Sequence, residues 1–203
     1  MTYRFLANPM ADGAYEPEGI YLSAPAEGEC VAIQFWADNA EAYSQFLYNG
    51  VPLKGHNGVD FLLPTGTYVV AVDTGRVTEI GEEQGGVGRY LKVEHRWGES
   101  FYAHLDTILL DSGQQVKRGT RLALIGDHDL NALIAAGKPR QSYLHFGIRI
   151  KPFNRFDGWG GFVDPLPYLN PAQLVFPAED NPEIGRSFTP HPMVREYPGM
   201  RRP

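Results

Sequence analysis

Six histidines, at positions 56, 95, 104, 128, 145 and 191, carry most of the chemistry open to this chain. His145 lies in QSYLHFGIRI, residues 141 to 150. On a strand, Leu144, Phe146, Ile148 and Ile150 share one face, and Tyr143, His145, Gly147 and Arg149 share the other. An imidazole and a phenol two residues away then look out from the same side of a sheet. His56 sits in KGHNGVDF, four residues before Asp60. On a continuous strand that pair would share a face about 13 Å apart, at ~3.3 Å per residue. Ligands of one metal ion must each approach it to about 2.0–2.2 Å, so the pair can serve only if the chain bends between them. Asn57 and Gly58 can supply the bend, because both tolerate left-handed backbone. A turn with an incidental His and Asp fits the same spacing.

His104 lies in SFYAHLD. Strand alternation puts it on a face with Tyr102, opposite Phe101 and Ala103, aimed into a cleft beside the sheet. Taken alone, such a residue is more often a satisfied structural histidine. His95 ends LKVEH before a turn and is expected at the surface, while His128 and His191 lie in irregular, polar or Pro-rich surroundings. Two histidines, one aspartate and a water form a familiar coordination set for catalytic zinc, which keeps one position open. His56, Asp60 and His145 can provide the protein ligands. His104 is then left unligated for proton transfer near neutral pH.

The elements that must position these residues read as β. ECVAIQFWA is a candidate strand, followed by DNAEAYSQF, a short helix with Asp38 or Asn39 as N-cap or else an ordered loop. From Val59 to about Gly126, the runs VDFLL, TYVVAV, GRVTEIG, RYLKVEH and ESFYAHL are rich in β-branched and aromatic residues. PTG, DTG, EEQGG and RWGE punctuate them as turns. QVKRGTRLALIG adds a strand–turn–strand, residues 127 to 142 a longer connection with one or two helical turns, and YLHFGIRI a last strand. The reading is a mostly β, compact antiparallel domain with short helices in connections. It spans residues 28–176, between an irregular extension at 1–27 and a tail at 177–203.

At 203 residues the chain can bury a substantial core. Its formal net charge of −6, with no basic run, argues against nucleic acid, whose binding rests on Lys and Arg against phosphate. The single cysteine, Cys30, excludes an intrachain disulfide and a thiolate metal cluster. The opening MTYRFLANPMADGAYEPEG has no apolar h-region, so no secretory signal is expected there. No apolar run approaches the ~20 residues of a membrane span.

Taken in order, these motifs resemble the lysostaphin/LytM-type zinc endopeptidases. LKGHNGVDFLLPTGTYVVAVDTGRV is similar to their opening, YLKVEHRWGESFYAHLD to their middle segment, VKRGTRLALIG to their following turn, and YLHFGIRI to their H-x-H-F, with DPLPYL at 164 to 169 closing the likeness. The resemblance covers roughly residues 30 to 170. It implies a compact β fold with a substrate groove, of the duplicated-hybrid-motif type. It also implies a Zn2+ cofactor and hydrolysis of peptide cross-links in bacterial peptidoglycan. His56 and Asp60 match its first two zinc ligands, His145 the third, and His104 the catalytic histidine of the middle segment.

The departure is Tyr143, which stands where that family has the first histidine of H-x-H, a residue that assists the water and the transition state. A phenol with a pKa near 10 can donate to a developing oxyanion but is a poor general base at neutral pH. A positioned acid–base group contributes about 10²–10⁴ in rate, so the expectation is a weakened hydrolase. Two other readings compete: a non-catalytic module that binds a peptide or regulates another cell-wall hydrolase, and a phage-particle component. The implied substrate lies outside the cytoplasm, and phage delivery, an unusual export route or a leader not included in this sequence would each reconcile it with the lack of an expected secretory signal.

Overall fold

The computed structural model describes residues 20–83, 86–126 and 142–176. The strands are β1 (Cys30–Gln34), β2 (Leu47–Tyr48), β3 (Val51–Pro52), β4 (Val59–Leu62), β5 (Tyr68–Val70) and β6 (Gly75–Glu83). They continue as β7 (Gly88–Glu94), β8 (Gly98–Ile108), β9 (Gln115–Val116), β10 (Arg121–Ile125), β11 (Tyr143–Ile150) and β12 (Leu174–Val175). Ten of them form one sheet in the order β12-β1-β4-β11-β8-β7-β6-β9, with β10 pairing β8 and β5, while β2 and β3 make a separate hairpin. Every pairing is antiparallel except β1 with β12. The fold is mostly β, as the short β-branched runs and their turns predict.

Alternation sorts the central strands into two faces. Phe61, Tyr102, Leu144, Phe146 and Ile148 are fully buried in the main core, and Phe146 lies across from Tyr102 with ring centroids 5.3 Å apart. Burying each such side chain is worth about 1.5–3 kcal/mol. On the other face, Phe101, Ala103 and Phe162 form a smaller cluster against Trp36, Tyr48, Val87 and Tyr90. Residues 20–27 are irregular in backbone, yet Ile20, Leu22, Ala24 and Ala26 pack into the main core. The helical turns expected within 127–142 fall almost wholly outside the described residues, as do His128, His191, residues 1–19 and the tail from 177.

Arg149 has the face that alternation assigns it, but no exposure at all. Its Nε donates to the Gly160 carbonyl at 2.8 Å, and its other nitrogens pair with Glu99 and with Tyr48 Oη. The guanidinium lies 3.8 Å over the Phe162 ring. A buried charge is tolerable only when so paired. The result ties β11 to the segment ahead of Val163, where Asp157 Oδ1 accepts from the amides of Trp159 and Gly161. Asp164 likewise serves a turn, accepting from the Leu166 amide.

Two sequence expectations need correction. The short helix α1 (Ala40–Tyr43) has Asn39 at its N-cap, but Asn39 is left-handed and makes no side-chain cap bond. Asp38 instead turns its carboxylate back to the Phe35 amide at 2.8 Å. His95, expected at the surface, is only 3% exposed. The tight turn after it folds Trp97 inward, and the two rings stack at 4.6 Å and 11°. Nδ1 of His95 lies 2.9 Å from the Thr74 carbonyl and Nε2 lies 2.7 Å from Ser100 Oγ.

Burial therefore lowers the pKa of His95 below its ordinary 6.5, although Thr74 and Asp73 partly oppose the shift. A folded pKa below the unfolded one means the unfolded chain takes up the proton first. Stability is then held above about pH 6.5 and lost as pH falls through that value, at up to about 1.4 kcal/mol per pH unit. Urea midpoints between pH 7.5 and 5.5 should fall more steeply for the wild type than for His95→Gln.

Candidate metal centre

The site begins with register. β4 and β11 pair so that Asp60 stands directly opposite His145, and the side chains meet with Oδ1 2.9 Å from His145 Nδ1. His56 arrives from outside the strand, because the chain bends at Gly55 and again at Gly58, although neither Asn57 nor Gly58 takes the left-handed backbone expected of them. Its Nε2 lies 3.1 Å from the same Asp60 oxygen and 2.9 Å from His145 Nδ1. All three residues are buried. Among the described residues these three alone bring three potential ligand atoms together, all within 4.8 Å of one another.

The segment after β1 holds His56 on several sides. Its Nδ1 donates to the Phe35 carbonyl at 3.0 Å, its amide donates to the Asp38 carbonyl, and its own carbonyl accepts from Ala37. Phe35 keeps a proton on Nδ1, so Nε2, which faces Asp60 and His145, is the nitrogen left to bind a metal once its own proton is displaced. The cradle requires close backbone approach: a Cβ on Gly55 would lie 2.8 Å from the Ala37 oxygen. Gly58 is equally constrained, since a Cβ there would fall 2.6 Å from the Phe146 carbonyl oxygen and 2.7 Å from His145 Cε1.

The charges suit the same use. Burial works to raise the Asp60 pKa, but the charge of His56 and hydrogen bonds from both imidazoles outweigh it and hold the carboxyl well below its usual range. Burial also opposes charge on His56, and the Asp60 carboxylate overcomes it, so His56 is raised. For His145 burial prevails over Asp60 and the pKa falls. One carboxylate thus faces two imidazole nitrogens in a water-poor pocket. Donors around a tetrahedral zinc, each at about 2.0–2.2 Å, stand about 3.3–3.6 Å apart. The observed separations of 2.9 to 3.1 Å fall a few tenths short of that range, so a small outward movement of the three donors fits them to the ion.

His104 reaches this face by a route the sequence does not disclose. Alternation would put it with Tyr102, in the core. In the structure Leu105 pairs with Arg89 and Ala103 with Tyr90, so His104 is the extra residue of a β-bulge, with a left-handed φ of 61°. A bulge re-aims a side chain. Here it carries His104 over to Tyr143, the ring centroids 4.5 Å apart and tilted by 51°. Tyr143 is on the His145 face, one strand repeat away, about 6.5 Å along the strand. The structure therefore brings together His56, Asp60 and His145 as one cluster and His104 with Tyr143 as a pair beside it. Sequence reasoning missed Gln34 and Tyr43, which flank the cluster on the β1 side, because only a second bulge, at Ile33, sets Gln34 opposite Asp60.

Residues 54–157, just over half of the chain, match the model of peptidase family M23. The chain belongs to peptidase family M23. The match takes in all three clustered residues, His104 and Tyr143. An uncharacterized metalloprotease of Haemophilus influenzae is 41% identical over 115 residues, 56% of this M23 chain and 21% of the relative. The peptidoglycan DD-endopeptidase ShyB of Vibrio cholerae is 36% identical over 97 residues, 47% of this chain and 21% of ShyB. The murein hydrolase activator NlpD of Escherichia coli is 32% identical over 121 residues, 59% of this chain and 27% of NlpD. The chain spans less than a third of the length of each of these relatives. Among solved structures, lysostaphin from Staphylococcus simulans superposes with a TM-score of 0.51 at 22% identity, over 70% of this chain and 50% of that one, a likeness of fold.

Gly58→Ala places a methyl group against the Phe146 carbonyl and the His145 ring. The ring must move, and affinity for a divalent ion should fall about 10–100-fold, the range seen when a ligand loses its support. Isothermal titration of metal-free protein with zinc measures it.

Proposed function

We propose that this M23 domain is a zinc-dependent endopeptidase that cleaves peptide cross-links of bacterial peptidoglycan outside the cytoplasm, at a rate reduced by Tyr143. The observation that carries the reading is the meeting of His56 Nε2, Asp60 Oδ1 and His145 Nδ1 around one point. The likeness to ShyB, a peptidoglycan DD-endopeptidase, supports the substrate class.

In this mechanism His56, Asp60 and His145 hold the ion, with Phe35 fixing the His56 tautomer from behind. Zinc bound there supplies a Lewis acid that acidifies water and polarises the scissile carbonyl. His104 takes the proton released in the attack and returns it to the leaving amine. Tyr143 Oη donates a hydrogen bond to the oxyanion that develops on the carbonyl oxygen. The phenol cannot share the proton work of an imidazole near pH 7, and that sets the loss at about 10²–10⁴ in rate.

Tyr143, together with the likeness to NlpD, a murein hydrolase activator, favours one second reading: a zinc-bearing module that binds a wall peptide and regulates another hydrolase without cutting. One set of measurements separates the two. Purified protein should contain zinc at one equivalent, and His56→Ala should lose it, by elemental analysis. Cross-linked muropeptides should be cleaved slowly by the wild type, faster by about 10²-fold or more with Tyr143→His, and not at all by Asp60→Asn. Stoichiometric zinc with no wild-type cleavage, and cleavage gained only in Tyr143→His, would reject the enzyme in favour of the regulator.

A further inference from the structure

We propose that Tyr43, held by Gln34, is a positioning residue that fixes the His56 ring for metal ligation and closes the β1 flank of the three donors. The inference rests on the metal reading above. Gln34 is set directly across from Asp60 by the bulge in β1, where Ala32 pairs with Phe61 and Gln34 with Asp60, leaving Ile33 as the extra residue. Its Nε2 donates to Tyr43 Oη at 3.2 Å. The Tyr43 ring in turn lies against the His56 ring, with centroids 5.3 Å apart at 36°. His56 is thus gripped at Nδ1 by Phe35 and covered on its face by Tyr43, while Nε2 points to Asp60 and His145.

The helix that carries Tyr43 has no evident purpose otherwise. It is four residues long, lacks a side-chain cap bond and buries none of its residues, and a helix that short does not persist on its own propensity. Two left-handed residues lead into it, Ala37 with φ 68° and Asn39 with φ 53°. Such backbone is unfavourable for residues other than glycine and is kept only where surrounding contacts hold it. The contacts here are the backbone bonds of Ala37 and Asp38 to His56. What those bonds and left-handed turns achieve is to bring the chain back so that Tyr43 covers the ligand ring.

The test measures zinc affinity of metal-free protein by competition with a chromophoric chelator, beside the urea midpoint of the same metal-free samples. Tyr43→Ala should weaken zinc binding about 10–100-fold, the range for loss of a group that orients a ligand. Tyr43→Phe keeps the ring and should lose much less. Phe46→Ala removes an exposed neighbour of Tyr43, rings 6.1 Å apart, and should leave affinity unchanged. If Tyr43→Ala does not fold, Tyr43→Leu, which removes the aromatic face but keeps bulk, takes its place and should also bind zinc more weakly than the wild type. Gln34→Leu, which like Tyr43→Phe removes only the bond at Tyr43 Oη, should show a similarly small loss. Wild-type affinity in the Tyr43→Ala or Tyr43→Leu protein overturns the inference, as does an equal loss from Phe46→Ala. Wild-type protein that takes up no zinc overturns the metal reading itself, and the positioning role with it.

Discussion

The register between β4 and β11 is the constraint on which the rest of the site depends. Because side chains alternate along a strand, a slip of one residue would turn every group to the opposite face. Asp60 would go into the core and His145 would lose its partner. The register is held by the apolar half of the same strands: Phe61 opposite Leu144 and Val59 opposite Phe146, all buried. The hydrophobic pattern that folds the sheet therefore also delivers a carboxylate opposite an imidazole on the other side. Packing and site chemistry are two faces of one pairing.

Around that fixed pair the remaining groups come from departures from regular structure. His104 is delivered by a bulge in β8 and Gln34 by a bulge in β1. His56 is turned in by the bends at Gly55 and Gly58 and caught by the backbone of Phe35, Ala37 and Asp38. Of the non-glycine residues with left-handed backbone, Ala37 and Asn39 lie in the His56 cradle and its continuation, and His104 is in the bulge. Strain of this kind costs about 1–3 kcal/mol per residue, and the buried sheet beneath is what sustains it. The Arg149 cluster plays a parallel part at the far end of β11, filling the space over Gly147 with Phe162 and so completing the floor of the same face.

Much of this was legible in the chain. YLHFGIRI alternates cleanly because one of its faces is core, and that alone assigned His145 and Tyr143 to a common side. HNGVD announced a carboxylate and a bend that brings His56 back to it, though the bend at Gly58 is made without the left-handed backbone that Asn57 and Gly58 allow. What the sequence could not disclose depends on bulges and long-range packing. A bulge leaves no period-2 signature, so His104 was read onto the face of Tyr102, which is core. His95 was read as a surface residue because it ends a strand before a turn, and nothing local says that Trp97 folds inward and stacks on it. Gln34 and Tyr43 look unremarkable in the sequence, one in a strand and one in a short helix, and acquire meaning only when β1 lies beside β4.

The most direct test of the account is the coordination shell of the metal-loaded protein, by X-ray absorption at the zinc edge. Two imidazole nitrogens and a carboxylate oxygen are expected at about 2.0–2.2 Å, with one histidine lost from the shell in His145→Ala and one in His56→Ala. A shell without histidine scattering, or one that neither substitution changes, would contradict it.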